Sequence, residues 1–136
     1  MVALVRELIP REFPLHALGI GHPPSIARCS GMGYALFDSA MPTRDARHGR
    51  LYQFKETPGR QEMGKNDGWF GYLYINDSEH IRSSRPIEAD CGCPVCEKYS
   101  RGYLRHLFKL NDCLYQNLAT RHNLHFMNRL KDMLRT

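Results

Sequence analysis

The sequence predicts an α/β fold, and three observations carry that expectation. Two short apolar runs, Leu15 to Ile20 and Gly33 to Phe37, enclose a segment with helix-start chemistry, the order of a βαβ unit with parallel pairing. A second pair of short apolar runs, Leu51 to Phe54 and Phe70 to Ile75, flanks a polar, glycine-rich stretch. Beyond residue 97 the apolar spacing becomes helical.

Residues 1–9 read as the end of a helix stopped at Pro10. Leu15 to Ile20 reads as a buried strand entering the loop Gly19-Ile20-Gly21-His22-Pro23-Pro24. Ser25 to Ser30 is the following helix, with Ser25 as N-cap. Gly33 to Phe37 is the next strand, ended by Asp38 and Pro42. Thr57 to Gly68 reads as an exposed loop or hairpin tip. Tyr103, Leu104, Leu107, Leu110, Leu114 and Leu118 mark one helix, and Leu124, Met127, Leu130 and Leu134 a second. Internal repeats and low-complexity segments are absent from the sequence.

With 136 residues the chain has the size of one domain with a modest core. No apolar run approaches the ~20 residues of a membrane span, so no membrane partner is expected. Arg6, Glu7, Pro10, Arg11 and Glu12 interrupt any leader-like stretch in residues 1–20. Five cysteines, three of them close together, fit a reducing compartment and hence a cytoplasmic location rather than a disulfide framework. Cys29 and Cys113 read as small buried side chains.

The net charge of +5 is uneven. Lys98, Arg101, Arg105, Lys109, Arg121, Arg129, Lys131 and Arg135 follow the cysteines, against the acids Asp112 and Asp132. Such a surface suits a polyanion such as nucleic acid. A merely solvated helical surface accounts for the same charges equally well.

Cys91, Cys93 and Cys96 form a C-x-C-x-x-C cluster, and His122 follows 26 residues after the last of them. Thiolates so close in sequence can converge on one point, and a distant imidazole can complete a tetrahedron, the ligand set of one structural Zn2+. Four protein ligands leave no open position, so metal-centred catalysis is not expected.

Two stretches are specific enough to point to a family. The first is Phe37-Asp38-Ser39-Ala40-Met41-Pro42-Thr43-Arg44-Asp45-Ala46-Arg47. The second is the cysteine cluster followed by Tyr99-Ser100-Arg101-Gly102-Tyr103-Leu104-Arg105-His106-Leu107 and His122-Asn123-Leu124. In order and spacing they resemble the C-terminal part of the tRNA-guanine transglycosylases, also called queuine tRNA-ribosyltransferases. The resemblance runs from about Leu15 to the C-terminus and is weakest across residues 57–68, where this sequence carries an insertion relative to the bacterial pattern.

The resemblance implies base exchange: guanine is removed from tRNA, in bacteria at the anticodon wobble position, and a 7-deazaguanine is installed. It implies the C-terminal portion of a TIM (β/α)8 barrel, with Leu15–Ile20 and Gly33–Phe37 as the last two strands, an inserted zinc subdomain and C-terminal helices. The corresponding divisions are residues 1–49 (last βαβ), 50–122 (hairpin and zinc subdomain) and 123–136 (C-terminal helix). Asp38, after a strand where barrel enzymes place catalytic groups, matches the nucleophile that attacks the ribose anomeric carbon. Read without the resemblance, an aspartate there is more readily a turn or N-cap residue. Ser39 stands where the family commonly has cysteine.

Thr43, Arg44, Asp45, Ala46 and Arg47 correspond to a segment that reads nucleotides beside the exchanged base, the arginines offering bidentate forks. A surface salt bridge to Asp45 or to a C-terminal acid is the competing reading. Gly19, Ile20, Gly21, His22, Pro23, Pro24 and Ser25 correspond to a second RNA-contacting loop, with His22 where bacterial members often carry lysine. Tyr99, Tyr103 and His106, spaced i, i+4 and i+7, correspond to a homodimer surface; core packing explains the spacing as well. The implied partners are the anticodon region of tRNA, guanine or a 7-deazaguanine, and either a second copy of the chain or an N-terminal half-barrel.

A complete (β/α)8 barrel takes ~250 residues. The strands that carry the family's general acid/base and guanine pocket are not recognised in this sequence, so the chain by itself is expected to be inactive. A non-catalytic, zinc-stabilised RNA-binding module or partner subunit is the alternative, and a DNA-modifying relative a third reading.

Overall fold

The computed structural model describes residues 2–56, 59 and 63–135. The expected loop at Thr57 to Gly68 therefore lies partly outside the described residues. Helix α1 (Val2–Leu8) ends before Pro10, and the Arg6 guanidinium donates to Ile9 O and Pro10 O just beyond it, at 2.7 Å each. Strand β1 (Leu15–Leu18), helix α2 (Pro23–Gly31) and strand β2 (Tyr34–Asp38) form the βαβ unit, with β1 and β2 parallel. Helix α2 starts earlier than the Ser25 cap implies. Its N-cap is His22, because Pro23, with no N–H to satisfy, occupies the first turn.

The parallel pair is not a buried sheet. Among its residues only Ala17 and Tyr34 are buried, while Leu18 is 77% and Leu36 54% exposed. The expectation of buried strands is corrected here: two strands cannot cover one another's faces, and parallel sheets normally lie under helices on both sides.

Asp38 is the last residue of β2 rather than the residue beyond it. Helix α3 (Met41–Arg47) follows, with Pro42 in its first turn. Strands β3 (Arg50–Phe54) and β4 (Phe70–Tyr74) form an antiparallel pair in which Arg50 faces Tyr74, Tyr52 faces Tyr72 and Phe54 faces Phe70. Met63 and Trp69, in and beside the expected exposed tip, are buried against Phe70 and Phe126. Their apolar surface outweighs the polar surroundings.

A short 3₁₀ turn (Ser78–His80) leads to helix α4 (Pro94–Lys98), then α5 (Arg101–Lys109) and α6 (Cys113–Arg135). The helix boundary is corrected. It falls at Leu110–Asp112, not between Leu118 and Leu124, and one 23-residue helix runs through His122. Asn111 adopts φ +52°, and the N–H groups of Asn111 and Asp112 bond back to Phe108 O and Leu107 O, a left-handed helix stop that asparagine tolerates. Asp112 Oδ1 then accepts the Leu114 N–H at 2.8 Å, capping α6. This leaves Cys113 exposed, against the expectation of burial.

Helix α6 buries Tyr115, Leu118, Ala119, His122, Asn123, Phe126 and Leu130 along one stripe, against α3 and β3. The same helix serves two cores. Leu51, Leu73, Ile87, Val95 and Leu104 surround its N-terminal half and the cysteines; Tyr52, Trp69 and Phe70 surround its C-terminal half.

Candidate functional site

The cysteine cluster is assembled from three pieces of backbone. Cys91 and Cys93 flank Gly92 (φ +65°), whose left-handed conformation turns both sulfurs to one side. Cys93 is the N-cap of α4, and its sulfur accepts the Cys96 N–H at 3.3 Å, placing the third thiol one turn along. His122 arrives from the middle of α6. Its Nδ1 lies 3.7, 3.6 and 3.5 Å from the sulfurs of Cys91, Cys93 and Cys96.

Zn–S bonds of about 2.3 Å and Zn–N bonds of about 2.0–2.1 Å set tetrahedral S···N edges of about 3.6 Å. The four side chains therefore fit one zinc ion, and they are the cluster expected from the spacing. His122 Nε2 donates to Tyr52 O at 2.8 Å, which fixes the tautomer and leaves the Nδ1 lone pair to the metal.

Without a metal the site is electrostatically crowded. Burial pushes the His122 imidazole down, but the neighbouring thiols and the Tyr52 carbonyl prevail and raise it to about 9. Cys93 is lowered by hydrogen bonds from the Cys91 and Cys96 thiols, and Cys96 is raised because the same neighbours carry the charge first. A divalent cation resolves that competition by replacing the protons.

Asparagine 123, next to the ligand, has no counterpart among the expected functional residues. Its Oδ1 accepts the Tyr52 N–H, and its Nδ2 donates to Pro42 O and Arg50 O, each at 3.0 Å. One buried amide thus ties α6 to β3 and to the start of α3. The consecutive pair His122–Asn123 locks metal site and α3 to the same helix.

At the end of the βαβ unit, Asp38 Oδ1 accepts the Gly19 N–H at 2.9 Å and lies 3.0 Å from His16 Nε2. The Asp38 N–H also bonds to the carboxyl. The Gly19 hydrogen bond, followed by His16, holds the carboxyl below its ordinary range although it is open to solvent. Gly19 has φ +74°, which aims its N–H at the neighbouring strand end. His16 was not singled out in the sequence; its position three residues before the loop becomes meaningful only once β1 and β2 pair in parallel.

The loop Gly19 to Ser25 and the segment Thr43 to Arg47 both belong to this end of the unit. A Cβ on Gly21 would overlap Ser39, so the loop packs directly behind Asp38. Gly21, Pro23 and Pro24 are buried, Gly19 is exposed, and Ile20 and Ser25 are half-buried. His22 packs edge-on against Phe70 at 5.4 Å. In α3, Arg44 and Arg47 are exposed and neither pairs with a carboxylate among the described residues.

Two members of the expected RNA segment face inward. Ala46 and Asp45 are fully buried, and Asp45 accepts the Tyr52 hydroxyl at 2.9 Å and lies 3.4 Å from the Arg50 guanidinium. A three-residue arginine spacing puts the residues between them on the helix's core side, so the exposed side chains of this segment are the arginines. The inward turn also removes Asp45 as the salt-bridge partner of Arg44 or Arg47.

Tyr99 lies outside α5, as the C-cap of α4, so the three residues do not form one helical stripe. Tyr99 and Tyr103 nonetheless stack at 5.5 Å and 14°, beside a cleft lined by Ser84, Pro86 and Ser100. His106 is exposed on the same helix as Tyr103. Among the described residues no helix is long and apolar enough to cross a membrane.

Known proteins resemble this chain over its whole length. The family model described as TGT: Queuine tRNA-ribosyltransferase matches residues 1–136. A queuine tRNA-ribosyltransferase of Protochlamydia amoebophila is 39% identical over 135 residues, 99% of this chain and 31% of the relative. Relatives of the same name from Thermosipho africanus and Thermoanaerobacter pseudethanolicus are 36% and 33% identical over 135 residues each, spanning 33% and 32% of those proteins. The chain thus spans about a third of the length of the curated relatives it matches.

Proposed function

The chain belongs to the queuine tRNA-ribosyltransferase family, and from that premise we propose that it contributes the nucleophile and part of the RNA surface to a base exchange on tRNA. The observation that carries this reading is the Asp38 carboxylate: ionised, at the C-terminal end of a parallel strand, anchored through Oδ1 and open to solvent. Oδ2 attacks C1′ of the ribose as the C1′–N9 bond to guanine breaks, forming a glycosyl–aspartate ester. The proton that neutralises the departing guanine comes from a group outside the residues described. A 7-deazaguanine then attacks C1′ through N9, giving its N9 proton to that same group, and the ester C1′–O bond breaks to return the carboxylate.

Arg44 and Arg47 hold nucleotides on either side of the reacting one, and the Gly19 to Ser25 loop brings backbone N–H groups to phosphate. Zinc, held by Cys91, Cys93, Cys96 and His122, supplies structural stability and takes no part in the exchange. The exposed β1–β2 pair supports the view that these are the last two strands of a (β/α)8 barrel whose other strands provide the guanine pocket. The stacked Tyr99–Tyr103 pair supports a homodimer contact on α5, with a second copy of the chain as partner.

The test combines the zinc-loaded chain, fused to the preceding two-thirds of a queuine tRNA-ribosyltransferase such as the Protochlamydia relative, with a tRNA carrying guanine at the wobble position. A denaturing gel should show a protein–RNA adduct that disappears in Asp38→Asn. An adduct that survives this substitution overturns the assignment. Retained RNA binding with no adduct in the wild type instead supports the non-catalytic module.

A further inference from the structure

The two RNA segments proposed above are separated by 17 residues in sequence, between Ser25 and Thr43, and are bridged in space by a strand to which the sequence assigns no role. Along β3 and β4 the residues Arg50, Tyr52, Phe54, Phe70, Tyr72 and Tyr74 share one face, paired across the ladder. Its inner end is roofed by Phe126 of α6, and its outer end is open. There Tyr72 is half-buried, Tyr74 is 49% exposed, and their rings lie 6.0 Å apart.

Each proposed segment reaches this end. From the loop, the His22 ring lies 6.4 Å from that of Tyr72. From α3, Asp45 meets the Arg50 guanidinium at 3.4 Å and the Tyr52 hydroxyl at 2.9 Å, which sets the helix beside the ladder. Neither tyrosine hydroxyl has a hydrogen-bond partner among the described residues. The carboxylate touched by Arg50, Asp45, is buried and also bound by Tyr52, so the patch presents cations and ring faces outward.

We propose that Tyr72, Tyr74 and Arg50 extend the RNA surface across the β3–β4 hairpin, taking unpaired bases by stacking on the tyrosine rings and phosphate at the arginine. The chemistry is that of single-strand binding sites, in which aromatic faces accept any base and adjacent cations follow the backbone. The charge complementarity of Arg44, Arg47 and Arg50 selects a polyanion over an apolar protein partner. The inference rests on the reading of residues 19–25 and 43–47 as RNA segments.

Fluorescence anisotropy of the zinc-loaded 136-residue chain with a labelled anticodon stem–loop RNA tests it. Stacking worth ~1–3 kcal/mol per base corresponds to roughly 5- to 150-fold in affinity. Tyr74→Ala should weaken binding at least fivefold with an unchanged melting temperature, and Tyr74→Phe should stay within about twofold of wild type. Arg50→Lys should bind less tightly while retaining its salt dependence, because the charge remains and the fork is lost. In the wild type, RNA carrying 5-bromouridine in the loop should cross-link to Tyr72 or Tyr74.

Wild-type affinity in Tyr74→Ala together with no cross-link to either tyrosine overturns the ridge. If the Arg44→Ala/Arg47→Ala double variant loses binding in that same experiment, the underlying RNA reading stands without it. If the wild-type chain binds no RNA, both fall.

Discussion

Replacing Asn123 with alanine isolates the contribution of one buried amide to the whole assembly. The substitution leaves the Tyr52 N–H, Pro42 O and Arg50 O without their partner. Leaving a buried polar group unsatisfied costs about 1–3 kcal/mol. Two of these bonds are fully buried and the third, to Arg50 O, is partly buried, so water can recover some of its loss. The sum is about 3–5 kcal/mol, a large share of the 5–15 kcal/mol by which domains are typically stable. Guanidinium unfolding in the presence of zinc, followed through Trp69, measures it. Trp69 is the single tryptophan and is buried in the cluster that contains Phe126, one turn along α6. A loss below about 1 kcal/mol with an unchanged denaturant slope would show that the three bonds are not holding α6 to β3 and α3.

Four further outcomes follow from the site. His122→Ala should reduce zinc content from one ion per chain, measured by plasma emission after dialysis, and lower the melting temperature; retained stoichiometry would break the ligand set. Zinc affinity should also fall as pH falls, since the thiols and the imidazole must shed protons to bind. Asp38 should titrate below its ordinary value of 3.8, read by carbon-detected NMR. Because that carboxyl is lowered, the stability its bonds provide is present above the ordinary value and lost as pH falls through the lowered one; a midpoint at or above 3.8 would refute the Gly19 and His16 contacts. Gly21→Ala should push the loop off Ser39 and move the Asp38 midpoint upward, with Ser39→Gly restoring it in the double variant; no movement would show that the loop does not position the carboxylate.

What could be read from the sequence was local. The metal ligands stand out because three of the four lie within six residues, so one turn and one helix cap bring their sulfurs together whatever the rest of the chain does. The parallel βαβ unit follows from its own apolar runs, and α6 from its stripe. The helix stop at Asn111–Asp112 was also written locally, in a residue that tolerates positive φ followed by a capping aspartate, although the leucine spacing on either side masked it.

What tertiary structure decided concerns partners far apart in the chain. Asn123 reaches groups 71 and 81 residues away, His16 meets Asp38 across a strand pair, and Asp45 turns inward to Tyr52 while Arg44 and Arg47 stay exposed. Spacing fixes which residues share a face of their own element, but not what that face will meet. The identity of the buried and the exposed side is settled only when α6 closes over both cores. That closure brings α3, the zinc cluster and the tyrosine ridge of β4 into one assembly.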